Sequence, residues 1–505
     1  MLTPLHTPTL AVAWLRARVT GEIRTDSRKV CPGDAFLAWP GAAVDARAHV
    51  AAALAAGAAA CLVEQSGMEA FTLTDPRVAT YLNLKADCGL MASEWFQHPS
   101  AQLAVLAVTG TNGKTSSTWW LAQALSNLKQ ATSIPCGVVG TLGIGVPPHV
   151  VSTGLTTPDP LALHAAFADF VNQGHEACAI EASSIGIEEQ RMAGTQIHTA
   201  VLTNLTQDHL DYHGDMTRYA LAKARLFAWP GLRAAVVNID DPFGLELVSD
   251  LAATSPALDL WTCSMTDHAT NAARLQAQAV RYAAQGMRFT VVEGQERVEL
   301  STQLIGAYNI ANLLGVIATM RTLGVPLAAA VDACQHLTPV PGRMECITAP
   351  GQSLVAVDYA HTPDALAKAL DALQPMAQAR GGQLWCVFGC GGDRDTRKRP
   401  IMGAVAAAHA DRVVVTSDNP RTEAPDAIIS QILLGLTGTT GVQVEPDRAR
   451  AIAQTLAQTH AADVVLLAGK GHEDYQEIMG QRFPFSDIAQ VRVAFGLAAP
   501  QETGT

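Results

Sequence analysis

The segment Ala104-Val-Leu-Ala-Val-Thr-Gly110-Thr-Asn-Gly113-Lys114-Thr115-Ser116 constrains this chain more than any other. An apolar run enters a glycine-containing loop, and a helical pattern opens near Lys114. Backbone N–H groups of such a loop, with a helix N-terminus behind them, surround phosphate oxygens. The spacing sets Gly110, Thr111, Asn112, Gly113 and Ser116 around a nucleotide's phosphates. Lys114 would reach the β- and γ-phosphates, and Thr115 would offer its hydroxyl to Mg²⁺. A full Walker pattern wants a glycine five residues before Gly113, where Val108 stands, so the general motif is matched incompletely. The competing reading is a strand-to-helix turn with an exposed lysine. The order strand, loop, helix favours phosphate binding but names no reaction.

The same grammar recurs along the chain. Short apolar runs at 104–108, 234–237, 384–388, 412–415 and 464–467 end in Gly, Asn, Ser, Asp or Thr, with alanine-rich helical stretches between many of them. That alternation predicts parallel strands with crossover helices, and ligands at the carboxyl ends of the strands. A chain of 505 residues exceeds what one hydrophobic core holds. Boundaries are expected in the polar stretch 97–102 and in Thr338-Pro-Val-Pro-Gly-Arg343, where prolines and a glycine interrupt a helical pattern. The fold class expected is therefore α/β in three domains, at 1–100, 101–340 and 341–505. These are a small N-terminal α/β domain, a central mostly parallel sheet of P-loop type with helices on both faces, and a C-terminal Rossmann-like α/β domain.

Composition excludes several classes. A formal charge of −12 leaves no basic surplus for general nucleic-acid binding. Hydrophobic residues at 49% and charged residues at 16% suit a packed enzyme rather than a disordered chain. The N-terminal stretch lacks the layout of a secretory signal, and no uncharged apolar run reaches membrane-spanning length. The ten cysteines show no metal-site or disulfide spacing, which fits reduced thiols in a cytoplasmic protein. A monomer free of nucleic-acid and membrane partners is expected.

Further motifs follow in order: Thr156-Thr-Pro158, Glu181-Ala-Ser-Ser184, Thr203-Asn204 with Asp208-His209, Asn309 with Asn312, Pro341-Gly-Arg343 and Asp358-Tyr-Ala-His361. With Thr109-Gly-Thr-Asn-Gly-Lys-Thr115, this series resembles the Mur ligase and folylpolyglutamate synthetase superfamily, over about residues 20–495. Thr25-Asp-Ser27-Arg28 followed by Pro32-Gly-Asp34 is similar to the N-terminal uridine-nucleotide domain of the ligases that add the third peptide residue. Gly389-Cys-Gly-Gly-Asp-Arg394-Asp, Asp418-Asn419-Pro420-Arg421 and Gly469-Lys-Gly-His-Glu473 are similar to the form selecting meso-diaminopimelate. The resemblance implies ATP- and Mg²⁺-dependent ligation of meso-diaminopimelate to UDP-MurNAc-L-Ala-D-Glu through an acyl phosphate, in cytoplasmic peptidoglycan precursor synthesis.

What the resemblance implies for single residues stands beside their plainer readings. Glu181 ends an apolar stretch and would share a Mg²⁺ with Thr115; a carboxylate at a helix start is favourable in any protein. His209 would serve a second Mg²⁺, although a lone histidine is usually structural. Lys223 lies in a clear helix, where spacing alone makes it a solvated lysine. By resemblance it is the lysine that is carbamylated, becoming an anionic oxygen donor near the second metal, and Lys114, Lys223, His209 and Glu181 are the catalytic residues so implied. Asn309 and Asn312, which would share a helix face, are implied beside the adenine; they could equally be polar residues at a helix start. Arg343 and Asp358 are implied at the ATP site from the C-terminal side, and His361 is either there or a cap.

For the acceptor nucleotide, the resemblance assigns Thr25 and Ser27 to the uridine, and Thr156, Thr157, Ser183, Glu189 and Arg191 to the muramoyl peptide. Glu189 stands where many relatives have Gln, and a carboxylate there would repel an anionic substrate unless paired or protonated. For the incoming amino acid, Arg394 and Arg421 could each grip a carboxylate through a planar fork, with Asn419, Pro420 and Gly469 shaping the site. Asp418 and Glu473 could accept from an ammonium. The alternative for Asp418–Arg421 is an ordinary surface turn. Rival functions are a lysine-adding ligase, a folylpolyglutamate synthetase and a non-catalytic nucleotide-binding module. Arg421 would be left unpaired by lysine, and the uridine-type first domain argues against folate.

Overall fold

The computed structural model describes residues 2–41, 44–129, 133–266, 273–283 and 286–497. The chain forms two compact units. One takes in the chain up to Ala107 with Ile134–Ala200 and Arg225–Arg233; the other takes in Val108–Ser133, Val201–Ala224 and the chain from Ala234 onward.

The first unit opens with a five-stranded parallel sheet. Its spatial order is Thr3–Leu5, Val78–Tyr81, Ala60–Glu64, Ala35–Ala38, Ile23–Arg24. Successive side chains of Ala35–Ala38 point to opposite faces, and both faces are covered. Ala35 and Leu37 pack with Val12, Leu15, Cys88 and Met91, from helices Pro8–Arg16 and Leu84–Trp95. Phe36 and Ala38 pack with Val50 and Ala53 of helix Val50–Ala55. Burial on two sides explains why these strands read as continuous apolar runs rather than alternating ones. The same unit holds strand Ala177–Glu181, parallel to Cys136–Gly140, which then turns back through the antiparallel strands Gly143–Val146 and His149–Val151.

In the second unit, Ala234–Asn238 runs parallel to Asp259–Ser264, and an antiparallel meander follows through Leu275–Ala283, Gly286–Glu293 and Glu296–Thr302. The meander departs from the mostly parallel pattern expected of the central region. Only two residues separate each strand from the next, too few for a crossover helix.

The C-terminal part carries a six-stranded sheet in the order Glu345–Ile347, Leu354–Asp358, Val464–Ala468, Leu384–Phe388, Arg412–Val415, Val442–Val444. Only the first of these strands is antiparallel to its neighbour. Leu384, Cys386 and Phe388 face helices Pro363–Arg380, Lys398–His409 and Pro425–Leu433. Trp385 and Val387 face helices Arg448–Gln458 and Asp487–Ala494. This is the doubly wound arrangement, and it brings Asp358, Gly389, Asp418 and Gly469 to the carboxyl ends of their strands. Among the described residues no helix is long and apolar enough to cross a membrane.

Candidate active site

Strand Ala104–Thr109 ends at the glycine loop, and helix Lys114–Ser126 begins immediately after it. Gly110 and Gly113 have φ of 143° and 87°, conformations that a side chain would strain. There is no space either. A Cβ on Gly110 would lie 1.9 Å from Thr203 Oγ1, and one on Gly113 would lie 2.5 Å from Asn312 Oδ1. Thr203 and Asn204 brace the loop from outside. Thr203 Oγ1 donates to the Asn112 carbonyl at 2.6 Å, while Asn204 accepts from Thr111 N at 2.9 Å and from Asn112 N at 3.0 Å. The Thr111 hydroxyl donates to the Thr206 carbonyl at 3.0 Å. The loop is thus fixed at Thr111 and Asn112 by Thr203-Asn204, a motif without a site role in the sequence reading.

Two lysines meet at this loop. Lys114 Nζ donates to the carbonyls of Gly110 and Thr111 at 2.9 and 3.0 Å. Lys223 Nζ also donates to the Gly110 carbonyl, at 2.9 Å, from helix Met216–Ala224. Lys223 is only 1% exposed, which overturns the solvated-lysine reading of its helical spacing. Tyr219, one turn earlier, covers its stem, with the Nζ 4.4 Å from the ring centroid. Burial, then repulsion from Lys114, push the Lys223 amine well below the ordinary lysine range, against the pull of Asp208. His209 adopts a left-handed conformation (φ 52°) at the start of helix Leu210–His213, with Nε2 3.5 Å from Asp208 Oδ2. Lost hydration and the two lysines lower its pKa, opposed by Asp208.

Beside the loop a cavity of about 260 Å³ is lined by Asn112, Gly113, Ser116, Asn309, Asn312, Arg343 and Asp358, among others. Every one of these residues was expected at the nucleotide. Asn312 Nδ2 donates to Asn309 Oδ1 at 3.0 Å, and Asn309 Nδ2 donates to the Ile305 carbonyl at 2.7 Å, so the pair is locked in place on helix Ala307–Thr322. Arg343 Nη2 donates to Thr115 Oγ1 at 3.1 Å and its guanidinium lies 4.5 Å from the Tyr359 ring centroid. Asp358 accepts from Met344 N at 2.7 Å, and burial raises its pKa despite Arg343. His361 does not cap a helix: Thr362 does, accepting from Ala365 N, while His361 Nδ1 bonds the Tyr359 carbonyl at 2.8 Å.

The other unit gathers the residues expected at the muramoyl peptide. Glu181, 1% exposed, ends its strand and accepts from Thr141 N at 2.7 Å. Thr157 Oγ1 donates to the Glu181 carbonyl at 2.7 Å and lies 2.9 Å from Ser183 Oγ, which caps helix Ser184–Glu188. Arg191 Nη1 donates to the Thr157 carbonyl at 3.1 Å, and Thr156 Oγ1 lies 3.1 Å from Thr141 Oγ1. Glu189 forms an ion pair with Lys85, which supplies the partner its carboxylate requires. Thr25 and Ser27 lie half-buried just after strand Ile23–Arg24.

A third cluster sits at the carboxyl ends of the C-terminal sheet. Arg421 (φ 51°) donates from Nη1 to the Gly392 carbonyl at 2.7 Å. Asn419 Nδ2 donates to Glu473 Oε2 at 2.8 Å. Asp418 is buried, and burial raises its pKa against the attraction of Lys470 and Arg448. Gly469 (φ 116°) lets the chain pass close by, since a Cβ there would fall 2.9 Å from Asp418 Oδ2. Pro420 is buried in the same turn, whereas Arg394 is exposed. Lys470, fully buried, joins the group by donating to Asn419 Oδ1 at 3.1 Å and Glu473 Oε2 at 3.0 Å. Sequence reasoning gave Lys470 no role, although Val464–Leu467 running straight into Gly-Lys-Gly repeats the grammar of the first loop.

A doubly wound sheet bearing charged strand-end clusters, together with a lysine-bearing glycine loop and its adjoining cavity, is the architecture of a nucleotide-binding α/β enzyme. Comparison with known proteins makes this specific. Residues 108–320 match the Mur ligase middle domain, and residues 342–471 match the Mur ligase, glutamate ligase domain. A UDP-N-acetylmuramoyl-L-alanyl-D-glutamate–2,6-diaminopimelate ligase of Acidovorax sp. (strain JS42) is 60% identical over 98% of both chains. The enzyme so named in Pseudomonas putida is 46% identical over 94% of each. A solved structure of a ligase of that name covers 94% of both chains at 37% identity, with a TM-score of 0.65. The chain belongs to the Mur ligase family.

Proposed function

We propose that this chain joins meso-2,6-diaminopimelate to UDP-MurNAc-L-Ala-D-Glu, converting ATP to ADP and phosphate, in the assembly of peptidoglycan precursors. The observation that carries the specificity is Arg421, whose guanidinium stands at the strand ends beside the Asn419–Lys470–Glu473 cluster. A distal carboxylate would find a planar cation there. Lysine, which lacks that carboxylate, would forgo this pairing. The names of the Acidovorax and Pseudomonas relatives support the same substrate.

A carboxylate is a poor acyl donor because oxide is a poor leaving group. Transfer of the γ-phosphoryl group to a dipeptide carboxylate oxygen breaks the terminal P–O bond of ATP and gives an acyl phosphate. The amine of diaminopimelate then attacks the acyl carbon, phosphate departs, and the amine loses a proton. Positioning and charge neutralisation do most of the work in such a transfer. The backbone N–H groups of Gly113 and of the first turn of helix Lys114–Ser126 hold the phosphates together with the Lys114 ammonium. Asn309 and Asn312 meet the base, while Arg343 and Asp358 close the cavity from the C-terminal sheet. Mg²⁺ suits the hydroxyl of Thr115, a hard oxygen donor, and would neutralise charge on the transferred group; the carboxylate of Glu181 is a donor of the same kind. Lys223, an amine held from water and disfavoured as a cation, has the character that carbamylation requires, and as a carbamate it would offer an oxygen to a second ion near His209.

On this reading residues 1–100 receive the uridine nucleotide through Thr25 and Ser27, residues 101–340 bind ATP, and residues 341–505 bind the amino acid. Thr156, Thr157, Ser183 and Arg191 hold the muramoyl peptide, with the Lys85–Glu189 pair beside them. The enzyme acts as a monomer in the cytoplasm. The test is the mass of the nucleotide product. A product heavier by one diaminopimelyl residue is expected; an unchanged nucleotide, or one extended only by lysine, contradicts the proposal.

A further inference from the structure

Thr338 has each of its polar atoms taken up by one helix. Its hydroxyl oxygen accepts from Gln123 Nε2 at 2.7 Å, its N–H donates to Gln123 Oε1 at 3.4 Å, and its carbonyl accepts from Trp120 Nε1 at 3.0 Å. Both partners lie on helix Lys114–Ser126, which the glycine loop opens. Gln123 is half-buried and interrupts a stretch, Thr115–Leu125, whose other residues are all buried. The helix therefore carries the loop at its N-terminus and, about 12 Å along its axis from Thr115, the start of Thr338-Pro-Val-Pro-Gly-Arg343.

That run leads back to the loop. Pro339 and Pro341 hold φ at about −65° and stiffen it. Val340 is fully buried, and its carbonyl accepts from Arg343 N at 3.0 Å across a turn centred on Pro341 and Gly342 (φ 65°), the composition of a type II turn. Asp358 fixes the far side by accepting from Met344 N at 2.7 Å. The Arg343 guanidinium that emerges donates from Nη2 to Thr115 Oγ1 at 3.1 Å, while its Nε is buried with no hydrogen-bond partner among the described residues. The circuit closes on itself: Thr115 along the helix to Gln123, across to Thr338, along a stiff run to Arg343, and back to Thr115.

Gln123 and Thr338 lie outside the lining of the nucleotide cavity, whereas Arg343 is part of it. A change at Gln123 reaches the nucleotide through what Gln123 holds. We propose that Gln123 is a positioning residue for Arg343: by gripping Thr338 it sets the register in which the run delivers the guanidinium to the nucleotide's phosphates. The inference rests on the reading that the cavity takes ATP and that Arg343 meets it there.

The test is a binding cycle, read by titration calorimetry with a non-hydrolysable ATP analogue and Mg²⁺. Gln123→Met keeps the length of the stem and suits a helix, but removes both bonds to Thr338. It is expected to weaken binding of the analogue roughly three- to tenfold, as loss of a hydrogen bond or two does. Gln123→Glu, whose carboxylate can accept from both the N–H and the hydroxyl of Thr338, should bind like wild type. In an Arg343→Ala background, Gln123→Met should weaken binding no further, because the group it positions is gone. An equal fold loss in both backgrounds would reduce Gln123 to general support for the loop and overturn the proposal, as would full affinity in Gln123→Met. If the wild-type protein does not bind the analogue, or Arg343→Ala binds it as tightly as wild type, the reading of the cavity is what fails, whatever Gln123 does.

Discussion

Lys223 Nζ donates to the Gly110 carbonyl at 2.9 Å, so a buried amine from a distant helix is tied to the first residue of the phosphate loop. Its depressed pKa means that, from the ordinary lysine value downward, the unfolded chain binds a proton that the native chain resists. Stability therefore rises with pH across that window. Replacing Lys223 with Met removes this cost while keeping the stem's packing. A Tm at neutral pH equal to or above that of wild type is expected, together with a fall in turnover of about a hundredfold or more. Calorimetry paired with a steady-state assay checks both, and full activity in the stable variant would count against a metal-side role for Lys223.

Lys114 bends over the loop to the carbonyls of Gly110 and Thr111. Lys114→Ala is expected to fold, because the loop is braced independently by Thr203 and Asn204, yet to lose about 10²- to 10³-fold in kcat. Circular dichroism and phosphate release on the same preparation test this.

The ion pair between Lys85 and Glu189 is half exposed, with side-chain exposures of 51% and 31%, so it adds little to stability. Its predicted effect is on substrate charge. Lys85→Met leaves Glu189 unpaired and should raise the KM for the UDP-dipeptide roughly three- to tenfold, with the KM for ATP unchanged. Adding Glu189→Gln to that variant should restore most of the loss, a rescue that an unrelated packing defect would not show.

Arg448 and Asp487 form a bidentate pair at 2.6–2.7 Å with both side chains fully buried, and Arg448 also reaches the carbonyls of Ser417 and Ala468. Removing one partner strands a charge. Asp487→Ala should cost about 3–5 kcal/mol in urea unfolding.

The residues at strand ends were legible in the sequence, because a buried strand announces itself as an apolar run and its ligand-bearing loop as the break that ends it. Gly110–Thr115 was found this way, whereas Asp358, Asp418 and Gly469 came from motifs that resemble a known family. Residues set by packing between distant segments were not legible. Lys223 reads as a surface lysine because its helix is polar at the right spacing, and nothing local says that the Tyr219 ring and the loop carbonyl enclose it. Lys470 joins Asn419 and Glu473 in a cluster made by two separated segments. The antiparallel meander from Leu275 to Thr302 was also missed, since its strands alternate on one exposed face and carry few of the apolar runs that marked the parallel ones.

The most direct test of the central claim is phosphate release from ATP with Mg²⁺ and UDP-MurNAc-L-Ala-D-Glu, measured with meso-diaminopimelate, with L-lysine and with no amino acid. Release that requires diaminopimelate is expected. Release with lysine alone, or none with any acceptor while ATP still binds, would contradict it.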